Sequence, residues 1–193
     1  AMKAICVYCG SSPGTKPAYT QKARELGKVL AGRGLSLVYG GSKIGFMGRL
    51  ADSVLAQGGR VIGVLPEALQ AKEVAHPALS ELHIAKGMHD RKAKMAALAD
   101  AFIALPGGFG TLDETMEMIT WNQLGFQAKP IGFLNVEGYY DRLFQFLAGI
   151  EAEGFVKPGL VESLILEADP ERLVERLTGE PWPDLGVWPR GSK

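Results

Sequence analysis

Cysteine is nearly missing from this chain: 193 residues hold two, Cys6 and Cys9, along with only three histidines. The cysteines form a C-x-x-C in "AICVYCGSS". A redox pair needs its first thiol at a helix N-terminus, where the dipole lowers its pKa. These two instead sit in a β-branched and aromatic run that reads as a strand, so their side chains point to opposite faces. They read as buried structural residues. His76, His83 and His89 lie seven and six residues apart, which matches no ligand motif, so no metal site is expected. An excess of one charge is also lacking, since 21 Lys and Arg balance 21 Asp and Glu. That excludes nucleic acid or a membrane surface as a partner held by bulk electrostatics. No apolar run approaches the roughly 20 residues that cross a bilayer, and no signal-peptide layout begins the chain. A cytoplasmic protein is expected.

Two nucleotide signatures are missing as well. The P-loop pattern G-x-x-x-x-G-K-[ST] does not occur. A dinucleotide fold would place its glycine fingerprint after the first strand and an acidic residue about twenty residues on. Here the first loop is "CGSSPG", and the second apolar run ends in Tyr39, Gly40 and Gly41. NAD is therefore disfavoured, and no cofactor is expected.

What the chain does have is a 47% apolar content, enough for a substantial core at this length. "KAICVYC", "LSLVYG", "RVIGVLP", "AFIALPG", "PIGFLN" and "SLILEAD" read as buried strands. Segments starting near Pro17, Gly45, Met88, Thr111, Tyr139 and Pro170 read as helices. Continuous apolar strands alternating with amphipathic helices imply an α/β fold: doubly wound, with a mainly parallel sheet and helices on both faces, Rossmann-like. No repeat or linker interrupts it. Residues 1–193 read as one nucleotide-binding domain, with about 181–193 as a Pro- and Trp-rich surface tail.

Three strand ends carry small-residue loops: "CGSSPG" after the first, "YGGSKIGFMG" after the second and "PGGFGT" after the fourth. Ligands of such folds sit outside the carboxyl ends of the strands. Glycine-rich turns that lead into helices expose backbone N–H groups within the positive end of the helix dipole, which suits phosphate. A phosphate-bearing ligand is the leading expectation. Behind the third loop stand Thr111, Asp113 and Glu114. Thr111 at N-cap with Glu114 at N3 would also make a capping box, with Asp113 favouring the dipole. That alternative leaves the abundance of glycine unexplained. In "MHDRKAKMAALADAF", Arg91 falls on the same helical stripe as Met88, Met95 and Leu98. An arginine there is expensive unless something anionic meets it or it snorkels at the helix start.

With these residues in view, "PGGFGTLDE" resembles the PGGxGTxxE signature of the LONELY GUY (LOG) family of cytokinin riboside 5'-monophosphate phosphoribohydrolases. "MHDRK" is similar to the family's second motif and "YGGSKIGFMG" to its glycine-rich loop. The similarity runs from Cys6 to about Pro158. The resemblance implies Arg91 and Glu114 as the catalytic pair. It implies substrate contacts from Glu73, Lys92, the turn Gly107, Gly108, Phe109, Gly110 and Thr111, and Thr120. Leu112 and Asp113 at the turn, and Gly41, Ser42 and Ser11 in the other two loops, complete the expected set. Two departures, Phe109 where plant members usually have tyrosine and Ser42–Lys43 in place of small residues, bear on base preference more than on reaction type.

The implied reaction cleaves the N-glycosidic bond of N6-modified adenosine 5'-monophosphates, of AMP, or of both. A carboxylate near the anomeric carbon would stabilise an oxocarbenium-like ribose and take a proton from water. Glu114 suits this. Arg91 stays protonated and cannot be the base, so it would fix Glu114 or the phosphate. For the acid that protonates the leaving base, the sequence offers Glu73 and nothing firmer. The alternative is a phosphate-ligand carrier, such as a molybdenum-cofactor carrier protein, which needs no carboxylate over a sugar. Finally, the segment 111–124 is apolar on several sides: Leu112, Met116 and Ile119 form one stripe, Met118 and Trp121 another face, and Leu124 with Phe126 extends the surface. Such a helix needs a second partner. A homodimer through residues 111–124 is expected; the alternative cover is the tail, with Trp182 and Trp188.

Overall fold

The computed structural model describes residues 1–72 and 74–186. In chain order the elements are β1 (Ala4–Tyr8), α1 (Pro17–Gly32), β2 (Ser36–Tyr39), α2 (Gly45–Leu55), β3 (Val61–Pro66) and α3 (Glu67–Gln70). Then come β4 (Glu81–Ala85), α4 (Met88–Leu98), β5 (Ala101–Ala104), α5 (Phe109–Gln123) and β6 (Ile131–Leu134). A short 3-10 turn (Val136–Gly138), α6 (Asp141–Ala152), β7 (Ile165–Glu167) and α7 (Pro170–Gly179) complete the series. The strands make one seven-stranded sheet in the order β4-β3-β2-β1-β5-β6-β7, parallel throughout. The doubly wound reading holds.

The chain winds outward from β1 to β4 and then returns to the other side of β1 with β5. The order therefore reverses between β1 and β5, and the crevice outside their carboxyl ends is where this architecture binds ligands. Both strands are buried along their whole length, because helices cover the two faces. On one face Ile5, Val7 and Cys9 pack with Leu26 and Leu30 of α1, Leu50 of α2 and Leu173 of α7. On the other, Cys6 and Tyr8 pack with Met95 of α4, Met118 of α5 and Phe133. The two cysteines thus lie on opposite faces, free and buried, and burial pushes both thiols up. They are poor nucleophiles.

Several expectations change. β4 and α3 escape the sequence reading, because "ELHIA" is a half-buried edge strand and lacks the continuous apolar run that marks a buried one. The "PGGFGT" turn consequently follows the fifth strand, not the fourth. The helix behind it starts at Phe109 with Gly108 at N-cap, two residues ahead of the expected start at Thr111. Thr111 therefore occupies N3, Glu114 lies beyond the first turn, and no capping box forms. The tail residues 181–186 have no regular structure, and Trp182 and Leu185 pack onto the second core. Trp188 lies outside the described residues. Among the described residues no helix is long and apolar enough to cross a membrane.

Candidate active site

The N-termini of α1, α2, α4 and α5 all lack a side-chain cap. By contrast α7 is capped by Asp169, which accepts from the Arg172 N–H at 2.9 Å. An uncapped terminus leaves donors open, and at α5 the turn residues Gly108, Phe109 and Gly110 are exposed, Phe109 at 93%. The glycines of this turn divide by purpose. A Cβ on Gly107 would fall 2.3 Å from the Thr111 hydroxyl, so packing explains that one. A Cβ on Gly108 or Gly110 would meet nothing within 4 Å. Open space in front of unpaired N–H groups is what an anion needs. Thr111 is buried and its hydroxyl has no hydrogen-bond partner; the seat is made of main chain.

Arg91 enters from α4 and is buried. Its Nε donates to the Val64 carbonyl at 2.9 Å and its Nη2 to the Gly40 carbonyl at 2.6 Å. A Cβ on Gly40 would stand 2.2 Å from Nη2, so glycine after β2 makes room for the guanidinium. Arg91 Nη1 has only the Met88 sulfur, at 4.0 Å, and remains available. The arginine thus meets two carbonyl dipoles, one within β3 and one just after β2, rather than snorkelling, and it does not grip Glu114.

Glu114 is half-buried on α5. Burial pushes its carboxyl up from the ordinary 4.5 to about 7, with the Arg91 charge opposing the rise. Burial in turn lowers the Arg91 pKa, and Glu114 opposes that. The two groups feel each other across the end of β1, where Cys6 and Cys9 feel both. A carboxyl balanced near neutrality beside a fixed cation can accept a proton at working pH.

The other expected residues scatter around this pair. Lys92 is buried, with Nζ 3.1 Å from Asp113 Oδ2 and 2.6 Å from Glu117 Oε2; it bridges α4 to α5. Leu112 is half-buried behind the turn. Gly41, at φ 81°, and buried Ser42 shape the loop after β2, where Ser42 Oγ accepts from the Ile44 N–H at 3.0 Å. The Ser11 carbonyl accepts from the Phe46 N–H at 3.0 Å, which ties the first glycine loop to the second. Thr120 is exposed, donates to the Met116 carbonyl at 2.8 Å, and lies roughly 9 Å along the helix axis from Glu114. The structure does not bring it to the turn. Glu73 lies outside the described residues.

Sequence reasoning missed three supports. His76 Nδ1 accepts from the Ala78 N–H at 3.2 Å, so its Nε2 donates to Asp52 at 2.8 Å, and its own N–H bonds the Gly41 carbonyl at 3.0 Å. Tyr139 and Tyr140 donate to the Gly107 and Leu105 carbonyls. The sequence signal was the glycine before two tyrosines in "NVEGYYD", which read only as a helix start. Among the described residues no group of three or more His, Cys, Asp or Glu could hold a metal ion.

Comparison with known proteins fits this geometry. A family model described as possible lysine decarboxylase matches residues 47–177. The cytokinin riboside 5'-monophosphate phosphoribohydrolase LOG of Oryza sativa subsp. japonica is 49% identical over 173 residues, 90% of this chain and 72% of that protein. The enzyme LOG1 of Arabidopsis thaliana, named for the same activity, is 47% identical over 175 residues, 91% and 82% of the two chains. Among solved structures, the molybdenum cofactor carrier protein of Chlamydomonas reinhardtii superposes with a TM-score of 0.68 at 23% identity, covering 93% of this chain and all of that one. That likeness speaks for the fold alone. The identity to the plant enzymes, across most of both chains, places this chain in the LOG family.

Proposed function

We propose that this protein hydrolyses the N-glycosidic bond of nucleoside 5'-monophosphates, namely N6-modified adenosine monophosphates, AMP, or both. The observation that carries the reading is the half-buried Glu114, held near neutrality beside Arg91 and behind an uncapped, open glycine turn. The 5'-phosphate sits on the N–H groups of the turn, and its binding energy orients the ribose over Glu114. As the C1'–N bond breaks, its electron pair leaves with the base and positive charge gathers on the ribose. The Glu114 carboxylate stabilises that charge and takes a proton from water as the oxygen bonds C1'. The departing base takes up a proton from solvent while Glu114 returns its proton to solvent, so the water is split between base and sugar and ribose 5-phosphate is left. Arg91 remains a fixed cation. A carrier would not require a carboxylate at this position, and the relatives that match most of this chain are named as phosphoribohydrolases.

Pyridoxal phosphate, which decarboxylation of lysine would call for, does not fit Lys92, the lysine beside the turn. Its Schiff-base lysine must lose a proton readily, whereas the Glu117 and Asp113 carboxylates raise the Lys92 pKa. The decisive experiment is incubation with AMP and with isopentenyladenosine monophosphate. The expected result is ribose 5-phosphate and free base in equal amounts; a protein that binds both nucleotides and releases neither product refutes the reading.

A homodimer through residues 111–124 belongs to the same proposal. The buried residues of α5 are Thr111, Thr115, Met118, Ile119 and Asn122, so they draw on both of the apolar faces read from the sequence. Leu112, Met116 and Trp121 are only half-covered, and Leu124 and Phe126 are exposed. Trp121 and Phe126 join Ala93, Ala96 and Ala97 of α4 around an open groove of about 610 Å³. The tail, through Trp182 and Leu185, lines a pocket with the neighbouring Asn122, Gln123, Gly125, Gln127 and Ala128 instead. A second copy on α5 would cover the remaining apolar surface. Free buried thiols and a nucleotide substrate suit the cytoplasm.

A further inference from the structure

The glycine turn is held by two phenols from an adjacent loop. Tyr140 donates to the Leu105 carbonyl at 2.5 Å, and Tyr139 donates to the Gly107 carbonyl at 2.5 Å. The two carbonyls bracket Pro106, which has no N–H of its own. A trans peptide points its C=O and the following N–H in opposite directions. Fixing the Gly107 carbonyl toward Tyr139 therefore fixes the Gly108 N–H away from it.

The loop that carries the tyrosines is built to hold them still. Asn135 accepts from the Tyr140 N–H at 2.8 Å and donates to Asp141 at 2.7 Å. Its own N–H reaches Glu167 of β7 at 2.8 Å. Glu137, at φ 49°, is the one non-glycine residue in the left-handed region among the described residues, a conformation that persists only where the surroundings impose it. It is also ion-paired with Lys16 at 3.1 Å. Gly138 follows at φ 73°, where a Cβ would meet Asp141 at 2.6 Å. Tyr139 packs edge-on against Tyr19 of α1 and against Tyr140, which packs edge-on against Phe133. Sheet, α1 and α6 all converge on two hydroxyls, and both hydroxyls end on the turn.

We propose that Tyr139 and Tyr140 are positioning residues for the phosphate seat: Tyr139 sets the direction of the Gly108 N–H, and Tyr140 anchors the strand end from which the turn departs. This rests on the phosphoribohydrolase reading above. Tyr139→Phe and Tyr140→Phe keep ring shape and remove only the hydroxyls. Calorimetry of AMP binding, AMP kinetics, inhibition by ribose 5-phosphate and melting are measured on each, with Tyr139→Phe decisive should the buried Tyr140 variant fold poorly. In Tyr139→Phe, the AMP Kd, the KM and the inhibition constant of ribose 5-phosphate are expected to rise together by about five- to tenfold, the worth of one hydrogen bond. Most of the loss should appear in KM rather than kcat. Unchanged Kd, KM and inhibition constant with a lowered melting temperature overturn the proposal and leave the hydrolase reading standing. A parent that binds AMP without turnover, and a variant that binds it more weakly, support the clamp and remove the hydrolase reading. A parent that binds neither AMP nor isopentenyladenosine monophosphate overturns both.

Discussion

Replacing Glu114 with glutamine should make the protein more stable and far less active, and the stability gain should depend on pH in a defined direction. The carboxyl is pushed up from 4.5 to about 7 mainly by burial, so the folded state binds its proton more tightly than the unfolded chain does. Stability is therefore fully present below 4.5 and is lost as pH rises through about 7. Each pH unit between the two values is worth about 1.4 kcal/mol, which sets a ceiling of about 3 kcal/mol; solvent reaching a half-buried group lowers it. Glutamine mimics the protonated form and escapes this cost. Without substrate, Glu114→Gln should melt above the parent at pH 8, by at most roughly 6–12 °C for a chain of this size, and the gap should narrow steadily toward pH 5. Turnover of AMP should fall by about 10²- to 10³-fold, the usual cost of losing one group aligned with developing charge. For the parent, kcat/KM should rise with pH through an apparent pKa near 7. Melting curves at four pH values and a ribose 5-phosphate assay settle it. A variant that melts below the parent at pH 8 while turning over AMP normally would mean that Glu114 serves the helix and not the reaction.

The same separation of fold from function applies to Gly110→Ala. With nothing within 4 Å of the new Cβ and a helical backbone, stability should rise by about 0.5–1 kcal/mol, while KM for AMP rises at least tenfold; an unchanged KM would show that no ligand approaches the turn there. Adenosine and isopentenyladenosine should be very poor substrates beside their monophosphates, and comparable kcat/KM values for nucleoside and nucleotide would remove the phosphate seat. On the assembly, light scattering should find the parent dimeric and Trp121→Asp monomeric and inactive. A parent that is monomeric and fully active at assay concentration ends the dimer proposal.

The sequence by itself determined the α/β class, six of the seven strands and the two motif segments. Those features depend on local periodicity and on glycine placed against apolar runs, and both survive into the fold unchanged. It also determined that Cys6 and Cys9 face apart, since strand geometry alternates side chains regardless of what lies beyond. It could not determine the edge strand β4, because half-covered strands carry a weak pattern. Nor could it decide which side of α5 meets the sheet: Thr111, Thr115, Met118, Ile119 and Asn122 are buried, while Leu112, Met116 and Trp121 are only partly covered. Only the tertiary structure decided how Arg91 is paid for, since the Gly40 and Val64 carbonyls lie 51 and 27 residues away in the chain. It alone raised the Glu114 carboxyl, and it alone brought Tyr139 and Tyr140 to a turn more than thirty residues earlier. Burial, long-range hydrogen bonds and field effects depend on distances that the fold creates, so no spacing within the chain encodes them.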